Sequence, residues 1–167
     1  MCMSLSSWSN SSTEVANEQM LSDRGRLSTA AVEFLQAFAP RLHQQFAPVV
    51  QPYFEPLLKL FARPNKVFLK RSERCLIKIL ENCHLPQIIM ELRKGLNDDA
   101  VTCRRICSTG IERAMSEWDI EVFTERSLVS LEEGLRRMAT DKDAEVRQTG
   151  KRVWTKFTEL WPERVDE

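Results

Sequence analysis

The chain of 167 residues has only 5 glycines, and its β-branched residues do not alternate with polar ones. Half-buried strands need such alternation, so few or no strands are expected. Nowhere do about 18 uninterrupted apolar residues occur, which argues against a transmembrane span. The opening stretch MCMSLSSWSNSSTEVANEQM lacks both a basic segment and an apolar core. It is therefore not a secretory signal.

Residues that commonly carry catalytic chemistry are also scarce. The two histidines, His43 and His84, accompany no nucleophile motif, phosphate-binding glycine loop or metal-ligand pattern. Ser108 in CSTGIE has the wrong glycine spacing for a nucleophile elbow. The sequence therefore predicts no catalytic residue and no cofactor, and we do not expect an enzyme.

The cysteines do not form a metal-binding pattern. None of the five belongs to a CxxC pair: Cys2, Cys75, Cys83, Cys103 and Cys107. Four of them fall in apolar helical patterns, which is typical of buried, reduced thiols. Neither Cys83 beside His84 nor the Cys103/Cys107 pair has further ligands at a suitable spacing. We expect free thiols and no metal.

What the chain does contain is a helical pattern that occurs four times. Residues at offsets of zero, four, seven and eleven share one helix face. The four occurrences start at Leu27, Phe68, Cys103 and Val146, at intervals of 41, 35 and 43 residues. The residue at the second offset is always small: Ala31, Ser72, Cys107 and Gly150. A unit of about 40 residues is typical of HEAT repeats, whose layers are pairs of antiparallel helices.

These observations predict an all-α, HEAT/armadillo-like helical-repeat solenoid. Its core is predicted to include Leu27, Phe34, Phe68, Cys75, Cys107, Val153 and Phe157. Trp118, Trp154 and Trp161 also have the helical spacing of core residues. A first helix beginning near Arg26 is followed by three helix pairs, over residues 48–82, 86–118 and 122–160.

The domain boundaries follow from the same pattern. Residues 1–20 are predicted to be a disordered, Ser-rich lead, and residues 21–167 the repeat domain. The first helix then has no partner before it. The last helix carries Val153, Phe157 and Trp161, an apolar stripe that would need a further layer to cover it. Both ends are therefore expected to be incomplete, with modest stability or self-association as the consequence.

Cations recur just after the turn inside each predicted pair, where an Asp or Asn precedes the next helix. Three segments show the pattern: LLKLFARPNKVFLKRSERCLIKILENCHLP, DDAVTCRRICSTGIERAMSEW and DKDAEVRQTGKRVWTKF. In order and spacing they resemble the N-terminal domain of CLASP proteins and the later repeats of TOG domains, over about residues 21–165. The chain resembles the middle of such a domain and lacks counterparts to its first and last repeats. Trp8 does not match the tryptophan of the family's first loop.

The resemblance implies a paddle of HEAT repeats whose intra-repeat loops contact tubulin. It implies binding to tubulin or microtubules in the cytoplasm and spindle, where the module would stabilise microtubules or regulate their dynamics. The candidate tubulin-binding residues are Arg24, Arg26, Lys66, Lys70, Arg71, Arg104, Arg105, Arg147 and Lys151. With 24 basic and 24 acidic residues the chain is not expected to bind nucleic acid, and no membrane partner is expected. Self-association or a larger partner would supply avidity.

Several alternatives remain open at this point. A generic HEAT-repeat adaptor is favoured if Lys66, Lys70, Arg104 and Arg147 do not share one edge. A helical-repeat DNA enzyme is disfavoured by the neutral charge, and a truncated, non-functional fragment is a third alternative. Arg147 could serve either in an Asp–Arg ladder between repeats or in binding.

Overall fold

The computed structural model describes residues 10–165, with side chains from residue 14 onward. This part of the chain is helical and contains no strand. The helices are α1 (Asn10–Leu21), α2 (Gly25–Leu42), α3 (Val50–Phe61), α4 (Lys66–Asn82), α5 (Pro86–Gly95), α6 (Val101–Glu117), α7 (Glu125–Ala139) and α8 (Ala144–Leu160). Short 3₁₀ turns cover His43–Val49, Ile120–Val122 and Pro162–Arg164.

The helices pair in chain order and the pairs stack into four layers. Helix α1 packs on α2, α3 on α4, α5 on α6, and α7 on α8. Each odd-numbered helix also packs on the next odd-numbered one, and each even-numbered helix on the next even-numbered one. The result is a two-row solenoid in which a layer contacts mainly its immediate neighbours.

Local sequence signals set several helix starts. The Asn65 side chain accepts a hydrogen bond from the Val67 amide at 2.9 Å, which caps α4. Asp143 accepts from the amides of Glu145 and Val146 at 3.1 and 3.2 Å and caps α8. Pro86 occupies the first turn of α5, where its missing amide proton costs no hydrogen bond.

The small residues of the repeated pattern lie where helices approach closely. Ala31, Ser72, Cys107 and Gly150 are all buried, as predicted. A Cβ atom added to Gly150 would lie 2.8 Å from the Met138 Cβ atom, so α7 and α8 can pack at this distance only around a glycine. The predicted core residues Cys75, Cys107, Val153 and Phe157 are also confirmed as buried.

Three predicted core residues differ from this pattern. Leu27 is 40% exposed and Phe34 is 45% exposed, whereas Phe68 is half-buried. Helix α2 belongs to the first layer, so it has an even-row neighbour, α4, on one side only. Its buried face is Ser28, Val32, Leu35 and Ala39, and Leu27 and Phe34 lie on the side that no described helix covers.

The predicted disordered lead is wrong for residues 10–20, which form most of α1; residues 1–9 lie outside the described part. Met20 is fully buried, and its carbonyl accepts a hydrogen bond from the Ser28 hydroxyl at 2.7 Å. Asn17 Nδ2 donates to the Pro52 carbonyl at 2.9 Å. Helix α2 therefore has a partner, and the described chain contains four helix pairs instead of three and a half.

The predicted exposed stripe on the last helix is also wrong. Val153, Phe157 and Trp161 are buried, because the chain turns back after α8 and Trp161 meets the Phe123 ring edge-on at a centroid distance of 5.2 Å. The exposed aromatic residue of α8 is Trp154, at 45% exposure, although the spacing predicted that it packs in the core. Trp118 is buried as predicted.

Candidate functional site

The loops inside the four helix pairs lie side by side along one edge of the solenoid. They cover residues 22–24, 62–65, 96–100 and 140–143. Arg63 Nη1 lies 3.6 Å from an Asp23 carboxylate oxygen and so connects the first two loops. The Thr102 hydroxyl donates to the Phe61 carbonyl at 2.8 Å, which ties the start of α6 to the second pair. We call these loops and the first turns of α2, α4, α6 and α8 the loop edge.

Arg104 connects the third and fourth loops, and it is buried rather than available to a partner. Its Nη1 donates to the carbonyls of Asp98 and Asp99 at 3.0 and 2.8 Å. Its Nε donates to the carboxylate of Asp141 in the next layer at 2.8 Å. Arg104 is 8% exposed and Asp141 is 3% exposed. The structure therefore gives this candidate binding residue the role of a rung between repeats.

The protonation state of Asp141 agrees with that role. Burial by itself would raise the pKa of the Asp141 carboxyl. The hydrogen bond from the Asp143 amide, the hydrogen bond and charge of Arg104, and the charge of Arg137 outweigh burial and hold that pKa below its ordinary value. The pair is therefore a charged, hydrogen-bonded contact, in which removal of either partner would leave a buried charge.

Arg147 holds its own loop in the same way. Its Nη1 donates to the carbonyls of Asp141 and Lys142 at 2.7 and 2.9 Å. These acceptors precede Arg147 by six and five residues, the same spacing by which Asp98 and Asp99 precede Arg104. The sequence left open whether Arg147 joins adjacent repeats or binds a partner. In the structure Arg147 stabilises its own loop through these two hydrogen bonds. Its Nε and Nη2 make no hydrogen bond to any described residue.

Arg105 is exposed but paired. Its Nε and Nη2 donate to the Asp143 carboxylate at 3.0 and 2.6 Å, and its Nη1 lies 3.0 Å from Glu145. The hydrogen bond from Arg105 lowers the pKa of Asp143 to about 2, assisted by the amides that this carboxylate caps. Since two carboxylates surround Arg105, its charge is largely neutralised within the chain.

Among the candidate residues of the loop edge, the exposed cations without an ion pair lie in the first two layers; Lys142 in the fourth loop is a further exposed cation without an ion pair in residues 10–165. Arg24, Arg26, Lys66 and Lys70 are exposed, and none of them forms an ion pair with a described residue. Arg71, half-buried on α4, is likewise without an ion pair in residues 10–165. Four of the predicted residues are therefore exposed cations in or close to the first two loops. The four residues whose position was to decide for or against a generic adaptor have two different environments. Lys66 and Lys70 have no ion pair among the described residues, whereas Arg104 and Arg147 bind carbonyls of their own loops.

Exposed aliphatic side chains accompany these cations, and sequence reasoning missed them. Leu27, Val67 and Val101 are 40%, 62% and 37% exposed, and each lies in the first turn of an even-row helix. Single exposed aliphatics are ordinary, but a row of them along one edge is a feature of binding surfaces. The available signal was their position, because each falls off the buried face of its helix just after the N-cap.

Lys151 lies away from the loop edge. It lines a groove of about 1060 Å³ at the open side of α7 and α8, together with Arg136, Arg147 and Trp154. Glu132 and Arg164 also line this groove and form an ion pair at 2.6 Å. The groove is thus an end surface of the solenoid, distinct from the four loops.

The described residues contain no candidate metal site and no exposed thiol. No group of three or more His, Cys, Asp or Glu side chains in residues 10–165 could hold a metal ion. Cys75, Cys83, Cys103 and Cys107 are buried free thiols, whereas Cys2 lies outside the described part. Burial raises the pKa of Cys75 to about 12 and that of Cys83 to about 11, so both stay protonated.

The histidines have structural contacts. His43 Nδ1 lies 3.1 Å from the Asn82 carbonyl oxygen, and His84 stacks on Trp118 with ring centroids 5.5 Å apart. Among the described helices, none has the length and apolar content needed to cross a bilayer.

Comparison with known proteins gives one family. The model of the CLASP N-terminal family, described as "CLASP N terminal", matches residues 5–167. No curated protein matches the chain.

Solved structures give the same fold. One comes from work on tubulin recruitment and assembly by microtubule polymerases with tumor overexpressed gene (TOG) domain arrays. It superposes with a TM-score of 0.71 at 16% identity and covers 92% of this chain and 33% of that one. A computationally designed armadillo repeat protein for modular peptide recognition has a TM-score of 0.51 at 15% identity, covering 91% and 68% of the two chains. The prediction of an all-α, HEAT/armadillo-like fold is confirmed, and the chain spans about a third of the TOG-array chain.

Proposed function

Because the chain belongs to the CLASP N-terminal family, we propose that its loop edge binds tubulin and that the module stabilises microtubules or regulates their dynamics. The TOG-like fold supports this proposal, since the TOG-array structure with the same fold concerns tubulin recruitment. On this proposal the protein acts on microtubules in the cytoplasm and spindle. Recognition rather than catalysis is the activity.

The observation that carries the proposal is the set of unpaired cations beside exposed aliphatics on the loop edge. Arg24, Arg26, Lys66 and Lys70 are free to meet an acidic surface. Exposed charges attract over about 10 Å at 0.1 M salt, so they guide approach and orientation. Val67 and Val101 would then lose their water shell against tubulin and add apolar contact.

The other candidate residues support this surface in different ways. Arg104 and Arg147 hold the third and fourth loops in shape, so their effect on binding would be indirect. Arg105 is neutralised by Asp143 and Glu145. We therefore assign the charged contacts with tubulin to the first two layers, with Arg71 at their border and Lys151 outside them, while Val101 extends the apolar contact to the third layer.

The test compares two triple charge reversals in microtubule co-sedimentation. The loop-edge variant is Arg26→Glu, Lys66→Glu and Lys70→Glu. We expect it to weaken binding roughly tenfold or more, since three exposed charge contacts of about 0.2–1 kcal/mol each are lost and replaced by repulsion. Raising the salt concentration should weaken the wild type in the same direction.

The matched control changes three exposed, unpaired cations elsewhere: Arg41→Glu, Arg126→Glu and Lys151→Glu. It alters the net charge by the same amount, so it should bind nearly as well as the wild type if position matters. Circular dichroism confirms that both variants are folded. Equal binding of the wild type and the loop-edge variant to microtubules would contradict the proposal.

The adaptor alternative predicts a different result. A protein that uses the solenoid for another partner would show no salt-sensitive pelleting with microtubules, and free tubulin would not co-elute with it. Size-exclusion chromatography with unpolymerised tubulin therefore complements pelleting, and it separates binding to free tubulin from binding to the lattice.

A further inference from the structure

The two end surfaces of the solenoid each expose an aromatic residue, and α1 of the first layer is acidic, although Arg41 adds an exposed cation seven residues after Phe34 on α2. On the first layer, Val15 is 52% exposed on α1 and Phe34 is 45% exposed on α2. The charged residues of α1 are two exposed glutamates, Glu14 and Glu18, and its sequence contains no cation. Phe34 stacks on Phe38 with ring centroids 5.0 Å apart, so its position is fixed by a neighbour on the same helix. We call the exposed side of α1 and α2 the first end.

The fourth layer presents an aromatic residue among cations. Trp154 is 45% exposed and stacks on Phe157 with ring centroids 6.0 Å apart. Around it, the groove of about 1060 Å³ is lined by Arg136, Arg147 and Lys151. The carboxylate in this lining, Glu132, is already paired with Arg164. We call this surface, on α7 and α8, the last end.

The two ends also match in register. Within the solenoid, α2 packs on α4 and α6 packs on α8 in a repeated arrangement, so a further layer on the last end would place a new even-row helix on α8. If that helix were α2 of a second molecule, Phe34 would lie ten residues after its N-cap Arg24. Trp154 lies eleven residues after the N-cap Asp143. The two exposed rings would therefore meet at the same level.

The odd-row helices give the same alignment for charges. Glu18 precedes the N-cap Arg24 by six residues, and Arg136 precedes the N-cap Asp143 by seven. In the same stacking arrangement, the acidic α1 of a second molecule would place Glu18 beside Arg136 on α7. A charged pair at the rim of an apolar contact fixes its orientation.

Arg147 adds a third match. Arg104 binds two carbonyls of its own loop and a carboxylate of the next layer. Arg147 binds the two equivalent carbonyls, and no described residue supplies the carboxylate. Asp23 lies in the first loop with a fully exposed side chain, and its contact with Arg63 Nη1, at 3.6 Å, leaves most of the carboxylate open to solvent. A second molecule stacked on the last end would bring this carboxylate toward the free nitrogens of Arg147.

From these three matches we propose that the first end of one molecule docks on the last end of another, so that the solenoid continues from copy to copy. The contact is heterologous, because different surfaces of the two molecules meet, and it can therefore extend into open chains. It involves Asp23 and Arg147 at the two ends of the loop edge and leaves the rest of that edge in each copy free on the same side. This inference does not depend on tubulin binding.

The experiment measures mass by sedimentation velocity over a range of protein concentrations. The wild type should shift from monomer toward dimers and longer chains as concentration rises. Phe34→Glu blocks the first end and Trp154→Glu blocks the last end, so each variant alone should remain monomeric. Mixed together they should form a one-to-one dimer, because each retains the end that the other has lost.

This mixing result separates the proposal from its rivals. A symmetric dimer through Trp154 would leave Phe34→Glu able to associate alone, and that outcome would overturn the proposal. Wild type that stays monomeric at every concentration, or a mixture of the two variants that stays monomeric, would also overturn it.

Two further variants guard against a folding effect. Val67→Glu introduces the same charge at an exposed position of the loop edge, and it should associate like the wild type. Glu18→Arg should weaken association, and combining it with Arg136→Glu in one chain should restore it by exchanging the signs of the pair. Failure of the double variant to regain association, with both chains folded by circular dichroism, would show that these helices do not meet.

Discussion

At the scale of single residues, cations near the starts of the even-numbered helices differ in whether the chain itself supplies them with a partner. Arg104 and Arg147 each lie four residues after an N-cap and bind two carbonyls of the preceding loop. A cation near a helix N-terminus costs about 0.3–1 kcal/mol through the helix dipole. Hydrogen bonds from the guanidinium to loop carbonyls offset that cost, which explains why arginine recurs there. Lys66 and Lys70 have no such partners among the described residues, so a structural explanation for their charge is missing.

The residue-scale prediction contrasts Arg104→Met with Arg105→Met. Arg104→Met should lower the free energy of unfolding by about 3–5 kcal/mol, because the buried Asp141 carboxylate loses its partner. Arg105→Met removes a pair whose arginine is 44% exposed, and such solvent-screened surface pairs contribute little to stability. Urea denaturation followed by circular dichroism measures both. Similar midpoints for the two variants would contradict the buried-rung assignment.

At the scale of helices, the sequence predicted those elements whose apolar pattern is strong. The three later pairs and the burial of Cys75, Cys107 and Phe157 follow from the repeated spacing alone. Helix α1 was missed because NSSTEVANEQML is mostly polar, and it forms a helix through contacts with α2 and α3 that local sequence does not contain. Tertiary contacts of this kind override local propensity.

Side chains on helix ends and between layers were the least predictable. Arg104 and Asp141 lie 37 residues apart in the chain, and only the stacked layers bring them together. Phe34 has the same periodic position as core residues of later helices, yet it is exposed because the first layer has a neighbour on one side. Periodicity identifies which face of a helix is apolar, but whether another helix covers that face depends on its place in the stack.

The element-scale prediction concerns the close approach of α7 and α8. Gly150→Ala puts a Cβ atom 2.8 Å from the Met138 Cβ atom, so the two helices must separate. Overpacking of this kind typically costs about 1–3 kcal/mol.

Gly25→Ala is the matched control, since a Cβ atom there meets nothing within 4 Å. It should be neutral or slightly stabilising, because alanine has a higher helix propensity than glycine and Gly25 is the first residue of α2. Thermal denaturation of the two variants distinguishes these outcomes, and a loss for Gly25→Ala equal to that for Gly150→Ala would refute the packing argument.

At the scale of the whole molecule, the four layers formed by residues 10–165 behave as a short stack in which each layer is stabilised by its neighbours. Terminal layers have one neighbouring layer and internal layers have two. The exposed aromatic residues Phe34 and Trp154 both lie in terminal layers, and the buried Arg104–Asp141 pair lies between layers. Interactions between layers therefore hold the loop edge in a defined shape, and a substitution that disrupts a terminal layer should also change the shape of the loop edge.

The last prediction tests whether α1 belongs to this cooperative stack. A chain that begins at Ser22 lacks the fully buried Met20 and the contacts of Asn17 and Leu21 with Pro52 and Arg63. It also uncovers the sides of α2 and α3 against which α1 packs. We expect the truncated chain to unfold at a clearly lower urea concentration and to expose apolar surface to a fluorescent dye.

Point variants of the full chain give the scale for that loss. Met20→Ala should cost about 2–5 kcal/mol as a buried large-to-small change, whereas Val15→Ala on the 52%-exposed side of α1 should cost little. The truncation should be at least as damaging as Met20→Ala, and it should weaken microtubule co-sedimentation because Arg24 and Arg26 follow directly on the lost helix. If the truncated chain instead unfolds at the wild-type midpoint, α1 contributes nothing to the stack and the domain begins at α2.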